Sequence, residues 1–200
     1  MTLPFASETE RIVVRGTVDE HSQVAIRVTG PPEHHTFNRR GKIAGVVWGG
    51  IEHVTFERAP SLYAVYTSAA LNAVARPAVR SRLMLGYETL EAQMGVRGTS
   101  VDKMQMIEQF VRLKESEGLY RVAPGAMPRA DAEGGRRAFE VAIPLPATAP
   151  PGDIDVAVYE LRNGEVVGEM AERVTLARVG LPAALFRLAH EHGLLFGLSS

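Results

Sequence analysis

Hydrophobic spacing changes twice along this chain, and that change limits the folds open to it. Between Ser22 and Gly30, Val24, Ile26 and Val28 alternate with Ala25, Arg27 and Thr29. A two-residue period belongs to a strand with one face buried. The same period returns at Phe139, Val141 and Ile143. Between these regions, Val101, Met104, Ile107, Phe110 and Val111 recur at three- and four-residue steps, the spacing of one helix face. A β-rich, helical, β-rich order predicts a mainly β fold, α+β overall. Each β-rich end holds only about four strands, marginal for a sandwich core of its own. The two ends are therefore expected to share one immunoglobulin-like β-sandwich domain over residues 1–180. A helical insertion is expected at about 68–118, and a short amphipathic C-terminal helix in 181–200.

Punctuation within these regions gives finer expectations. "VDEHS" suits a hairpin turn between the first two strands. "GPPEHH" reads as a breaker, because proline cannot donate to a ladder. Gly49-Gly50 reads as a tight turn between "KIAGVVW" and "EHVTFERA". In "PSLYAVYTS", Leu62, Ala64 and Tyr66 should face opposite to Tyr63 and Val65. "SAALNAVA" and "PAVRSRLMLGYETLEAQM" look helical, with Pro77 in a first turn. The clearest helix should start near Thr99 or Ser100, with Asp102 in its first turn, and stop at Gly118. "PGAMPRADAEGG" reads as a polar loop, and Asn163-Gly164 is the strongest hairpin signal in the chain.

Composition excludes several functions. Twenty-two basic against 23 acidic side chains give a net charge of -1, which lends no support to nucleic acid as a partner. The absence of cysteine removes disulfides, thiolate metal sites and a cysteine nucleophile. No basic n-region followed by an apolar run opens the chain, and no window reaches the roughly 18 apolar residues of a spanning helix.

The richest candidate for chemistry is "GPPEHHTFNRRGKIAGVVWGG". Arg39, Arg40 and Lys42 place three cations within four positions, and Trp48 follows. Guanidinium forks suit carboxylate, sulfonate or phosphate oxygens, so this hairpin is expected to contact a small oxyanion or an anionic lipid headgroup. The plainer alternative is a solvated hairpin whose charges protect a strand edge. Tyr63 either anchors a ligand or partner or packs the interior. His34-His35 is a poor chelate, since neighbours on a strand point to opposite faces. His190 and His192 lie far from that pair. No metal site and no cofactor is therefore expected. Glu57, Glu108 and Glu140 show no partner in sequence, and Asp153 and Asp155 flank a hairpin. No nucleophile elbow is present around "GTS" or "LSS", so no catalytic residue is assigned and an enzyme is not expected.

Five stretches, "VRGTV", "VTGPPEHHTFNRRGKIAGVVW", "VTFERAPSLYAVYTSAAL", "VRLKESEGLY" and "FEVAIPLPATAPPGDIDVAVYELRNGEVV", carry a resemblance across most of the chain. Their order and spacing resemble the Alph_Pro_TM family, bacterial transmembrane proteins of unknown function. The resemblance implies an exported β-rich region at the periplasmic face of the inner membrane, normally with a leader and one C-terminal membrane helix. This chain is expected to be the soluble region without them. It also implies an inner-membrane permease of the sulfite-exporter type as partner, and an accessory or binding role. A structural interaction domain and a metal-assisted hydrolase are the competing readings.

Overall fold

The computed structural model describes residues 5–8, 11–43, 47–98, 102–128 and 132–176, with backbone alone for 5–8, 38–43, 47–52 and 132. In chain order the elements are β1 (Phe5–Glu8), β2 (Arg11–Asp19), β3 (Gln23–Thr29), β4 (Pro32–Ile43), β5 (Val47–Pro60) and β6 (Tyr63–Thr67). Then come α1 (Leu71–Val74), α2 (Pro77–Leu83), α3 (Tyr87–Glu91), β7 (Gly95–Arg97) and α4 (Lys103–Ser116). The chain continues with β8 (Tyr120–Ala123), β9 (Ala132–Glu133), β10 (Arg136–Pro144), β11 (Gly152–Arg162) and β12 (Glu165–Leu176). The expected C-terminal helix at 181–200 lies outside the described residues, as do Thr99, Ser100, His190 and His192.

The fold is mainly β, α+β and sandwich-like. One sheet runs β1-β2-β10-β9 and a second runs β12-β11-β3-β6-β8. Both join the two ends of the chain. Val14 stands opposite Val141 and Ile12 opposite Ile143 in the first, and Ile26 opposite Val158 in the second. The alternation read from the sequence puts Phe139, Val141 and Ile143 inside while Ala138, Glu140 and Ala142 stay exposed. These residues, with Val24, Ile26, Val28, Val156 and Val158, belong to one hydrophobic cluster. At about 25 cal/mol per Å² of apolar surface, such burial is the main force holding the ends together.

The "VDEHS" turn closes, with Ser22 N–H donating to the Asp19 carbonyl at 3.0 Å, but it does not make a hairpin. β2 pairs with β10 while β3 pairs with β11, so this turn carries the chain from one sheet to the other. Asn163-Gly164 does close a hairpin: both residues have positive φ, 54° and 80°, as a primed turn requires.

Within the second sheet, β6 is buried on both faces. Ala64 and Tyr66 lie on one side of β6 and Tyr63 on the other, where the helices pack. Arg27 donates to the Leu83 carbonyl at 2.6 Å, holding the end of α2 against β3. The expected long helix from Pro77 breaks instead into α2 and α3. Met84 turns left-handed (φ 51°) and Gly86 follows at φ 113°, a conformation that glycine alone adopts cheaply. α4 starts at Lys103 because Asp102 caps it, its carboxylate accepting the Met104 N–H at 2.9 Å. Met104, expected in the buried stripe, is 58% exposed; Ile107, Phe110, Val111 and Lys114 form the buried face. Gly118 (φ 75°) ends the helix as expected. Its N–H bonds the Glu115 carbonyl and the Leu119 N–H bonds the Lys114 carbonyl, the double bond of a Schellman cap.

A candidate recognition ribbon and its base

β4 and β5 form a long hairpin that continues the β3–β6 pair. Ala25 opposes Thr67 and Thr29 opposes Tyr63. Gly30 N–H then bonds the Leu62 carbonyl, Ser61 N–H bonds the Pro31 carbonyl, and Pro32 opposes Pro60. The prolines do not end the ladder. They sit where the ribbon leaves the sheet. Gly30 allows this, because a Cβ there would collide with the Ser61 hydroxyl and lie 2.9 Å from the Leu62 nitrogen.

Two irregularities shape the ribbon. One falls between Glu33 and His35, where Arg58 takes a left-handed conformation at φ 57°. The other falls between Arg40 and Lys42, opposite Gly49-Gly50. The glycine pair is thus a bulge inside β5 rather than the end of the ladder, whose last described pair is Ile43 with Val47. Arg39 stands opposite Glu52, Arg40 opposite Ile51 and Lys42 opposite Trp48. β7 pairs only with Thr55–Glu57, so the segment carrying these four residues is two-stranded among the described residues.

The base of the ribbon is clamped by aromatic rings. Phe56 stacks on Phe110 of α4 at 4.4 Å between centroids and 22° between planes. Phe37 meets both rings edge-on, and His35 sits 5.4 Å from Phe110. Tyr120 stands edge-on to Phe110 at 6.2 Å and donates its hydroxyl to the Pro60 carbonyl at 2.7 Å. Lys114 is buried beside them, 3.1 Å from Glu117 and 5.6 Å from the Phe110 ring. Sequence reasoning missed this clamp. The Phe110, Lys114 and Glu117 spacing marks one helix face, but nothing local says that β4 and β5 will reach it.

The family model described as "Putative transmembrane protein (Alph_Pro_TM)" matches residues 8–200. The chain belongs to this family. No curated protein and no solved structure matches it. Family membership associates the Alph_Pro_TM chain with a membrane, while no helix among the described residues is long and apolar enough to cross one.

The remaining candidates of this Alph_Pro_TM chain fall into structural positions. Tyr63 is fully buried. Its hydroxyl donates to the Met84 carbonyl at 2.6 Å and accepts the Gly86 N–H at 3.0 Å, so it spans the α2–α3 break. Burial holds its phenol well above the ordinary range, against a smaller opposing pull from the Gly86 backbone. The three carboxylates without a sequence partner each meet an arginine: Glu57 with Arg97 at 2.8 Å, Glu108 with Arg112 at 2.6 Å and Glu140 with Arg15 at 2.8 Å. Asp155 holds Arg173 across the β11–β12 pair at 2.9 Å, and Asp153 accepts from Thr175. Among the described residues no group of three or more histidines and carboxylates could hold a metal. His34 is exposed, while His35 turns into the aromatic base.

His35 makes the base sensitive to acid. Burial lowers its pKa below the usual 6.5, and the Lys114 charge lowers it further; Glu33 and Glu117 pull the other way. Glu33 Oε2 lies 3.2 Å from Nε2 without making a hydrogen bond. The unfolded chain therefore binds a proton at a higher pH than the folded one. Stability from this site is fully present above the unfolded value and is lost as pH falls through the folded value. Urea midpoints should drop between pH 7.5 and pH 5, and His35→Gln should flatten that drop.

Proposed function

We propose that this Alph_Pro_TM chain is an exported, membrane-tethered recognition module at the periplasmic face of the inner membrane. Its sandwich, immunoglobulin-like in plan, carries the β4–β5 ribbon, and the ribbon offers Arg39, Arg40, Lys42 and Trp48 to an anionic group. The ligand class is a small oxyanion or an anionic lipid headgroup, met beside a permease of the sulfite-exporter type that the chain serves as a transport accessory.

The observation that supports this most is the ribbon's construction. Its base is locked to α4 by Phe56 and Phe110, while the segment with three cations is two-stranded among the described residues. A charged arm on a fixed base keeps its place relative to the scaffold, as contact surfaces on rigid scaffolds do. Arginine forks pair with oxyanions in two-point fashion, and the combined charge raises the local potential.

Thermal melts with sulfite, sulfate, thiosulfate and phosphatidylglycerol vesicles separate the ligands. A ligand present at a hundredfold excess over its Kd should raise the melting temperature by roughly 5–10 °C. Arg39→Gln with Arg40→Gln should abolish that rise and leave the unliganded melt unchanged. A rise that survives the double substitution removes the ribbon from the proposal.

A second reading is an interaction domain that adds a partner strand. It rests on β12, which pairs with β11 alone among the described residues along its 12 residues. Crosslinking in membranes that survives the ribbon substitutions but fails with Ala171→Pro favours this second reading.

A further inference from the structure

A cleft of about 390 Å³ opens between the first two sheets. Leu62 precedes β6, which supplies Ala64 and Tyr66; β8 supplies Tyr120 and Arg121, and the end of β10 supplies Ile143. Its size falls within the range of about 300–1,000 Å³ typical of small-molecule sites. The floor is apolar: Leu62, Ala64 and Ile143 are all buried.

Two donors in this cleft lack acceptors among the described residues. Tyr66 is 4% exposed, and its hydroxyl has no hydrogen-bond partner among the described residues. A shielded hydroxyl without a partner is uncommon, and a bound acceptor explains one. Tyr63 and Tyr120, its neighbours in the fold, both have their hydroxyls bonded to backbone carbonyls. Arg121 stands opposite Ala64 in the β6–β8 ladder, two residues along β6 from Tyr66, and both Arg121 and Tyr66 line the cleft. Arg121 is exposed and has no ion pair among the described residues. Glu115, the cleft's one carboxylate among the described residues, accepts the Tyr87 hydroxyl at 3.1 Å.

We propose that this cleft binds a small carboxylate with an apolar tail, its head on Arg121 and Tyr66 and its tail over Leu62, Ala64 and Ile143. Arginine gives a carboxylate two parallel hydrogen bonds, and the hydroxyl of Tyr66 supplies a third donor. The apolar walls favour a ligand that brings hydrocarbon with its charge. The proposed contacts do not include Arg39 or Arg40.

Hexanoate is the probe, titrated into the purified 200-residue chain and followed by amide chemical shifts. Shifts should centre on Ala64, Arg121 and Leu145. Arg121→Gln should weaken binding about tenfold or more. Tyr66→Phe should weaken it roughly 3–10-fold, with no loss in the unliganded melt. Hexan-1-ol should bind more weakly than hexanoate, acetate should not reach saturation, and Arg39→Gln with Arg40→Gln should change nothing. Equal binding of hexanoate in wild type and Arg121→Gln overturns the proposal. So does tighter binding of hexylamine, which would make Glu115 the governing charge, or shifts confined to other surfaces.

Discussion

Phe110→Ala should destabilise the fold by about 3–5 kcal/mol, the usual cost of deleting a buried aromatic ring. The ring is 3% exposed and touches four others, stacking on Phe56 and meeting His35, Phe37 and Tyr120. Such pairs add about 0.5–1.5 kcal/mol beyond area alone. The loss should not be uniform. Phe110 is the point at which α4 holds the ribbon, so amide exchange at Val54–Glu57 should speed up more than exchange at Val24–Val28 in the central strand. Leu113→Ala, one turn away but 40% exposed, should cost well under half as much in the same urea melts.

Tyr63→Phe should cost about 2–4 kcal/mol, a large effect for one oxygen atom. The hydroxyl serves a carbonyl and an N–H at the α2–α3 break, and no other hydrogen bond to either is seen among the described residues. A buried backbone group left unpaired costs about 1–3 kcal/mol, and here there are two. Helical signal should fall ahead of the sheet signal in a denaturant titration. Tyr66→Phe, three residues on, makes the same chemical change and should be neutral or mildly stabilising, because that hydroxyl has no partner among the described residues. The contrast separates bonding from packing without altering ring volume.

Much of this architecture was legible in sequence, and the failures have physical causes. The alternation at Phe139, Val141 and Ile143 reports burial directly, so β10 could be read by eye. Pro77, Gly118 and Asn163-Gly164 act through local backbone preferences, and each sits where those preferences place it. Gly49-Gly50 misled because glycine pairs serve bulges as well as turns, and only the pairing of Lys42 with Trp48 decides between them. Pro31 and Pro32 misled because a ribbon leaving its sheet tolerates missing donors that an inner strand does not. "VDEHS" is a turn in either reading; which strands it joins depends on β10 and β11, more than a hundred residues away. The basic cluster of the candidate site was visible as composition. Its aromatic base was not, because Phe56 and Phe110 come together only through tertiary packing. The cleft beside Tyr66 and Arg121 likewise exists only once β6, β8 and β10 assemble.

The account depends most on the two ends of the chain closing one sandwich that carries the ribbon. A cysteine-free chain offers a clean test, because Arg15→Cys with Glu140→Cys introduces a single pair. These residues are exposed partners in the β2–β10 ladder, where Cα atoms lie about 4.5–5.5 Å apart, within disulfide reach. Losing their surface ion pair should cost about 0–1 kcal/mol, so the variant should fold. Mild oxidation of the folded protein should close the disulfide nearly completely, giving a compact band on a non-reducing gel and a melt above that of the reduced form. Two thiols that stay free and reactive in the folded protein would contradict the shared sandwich.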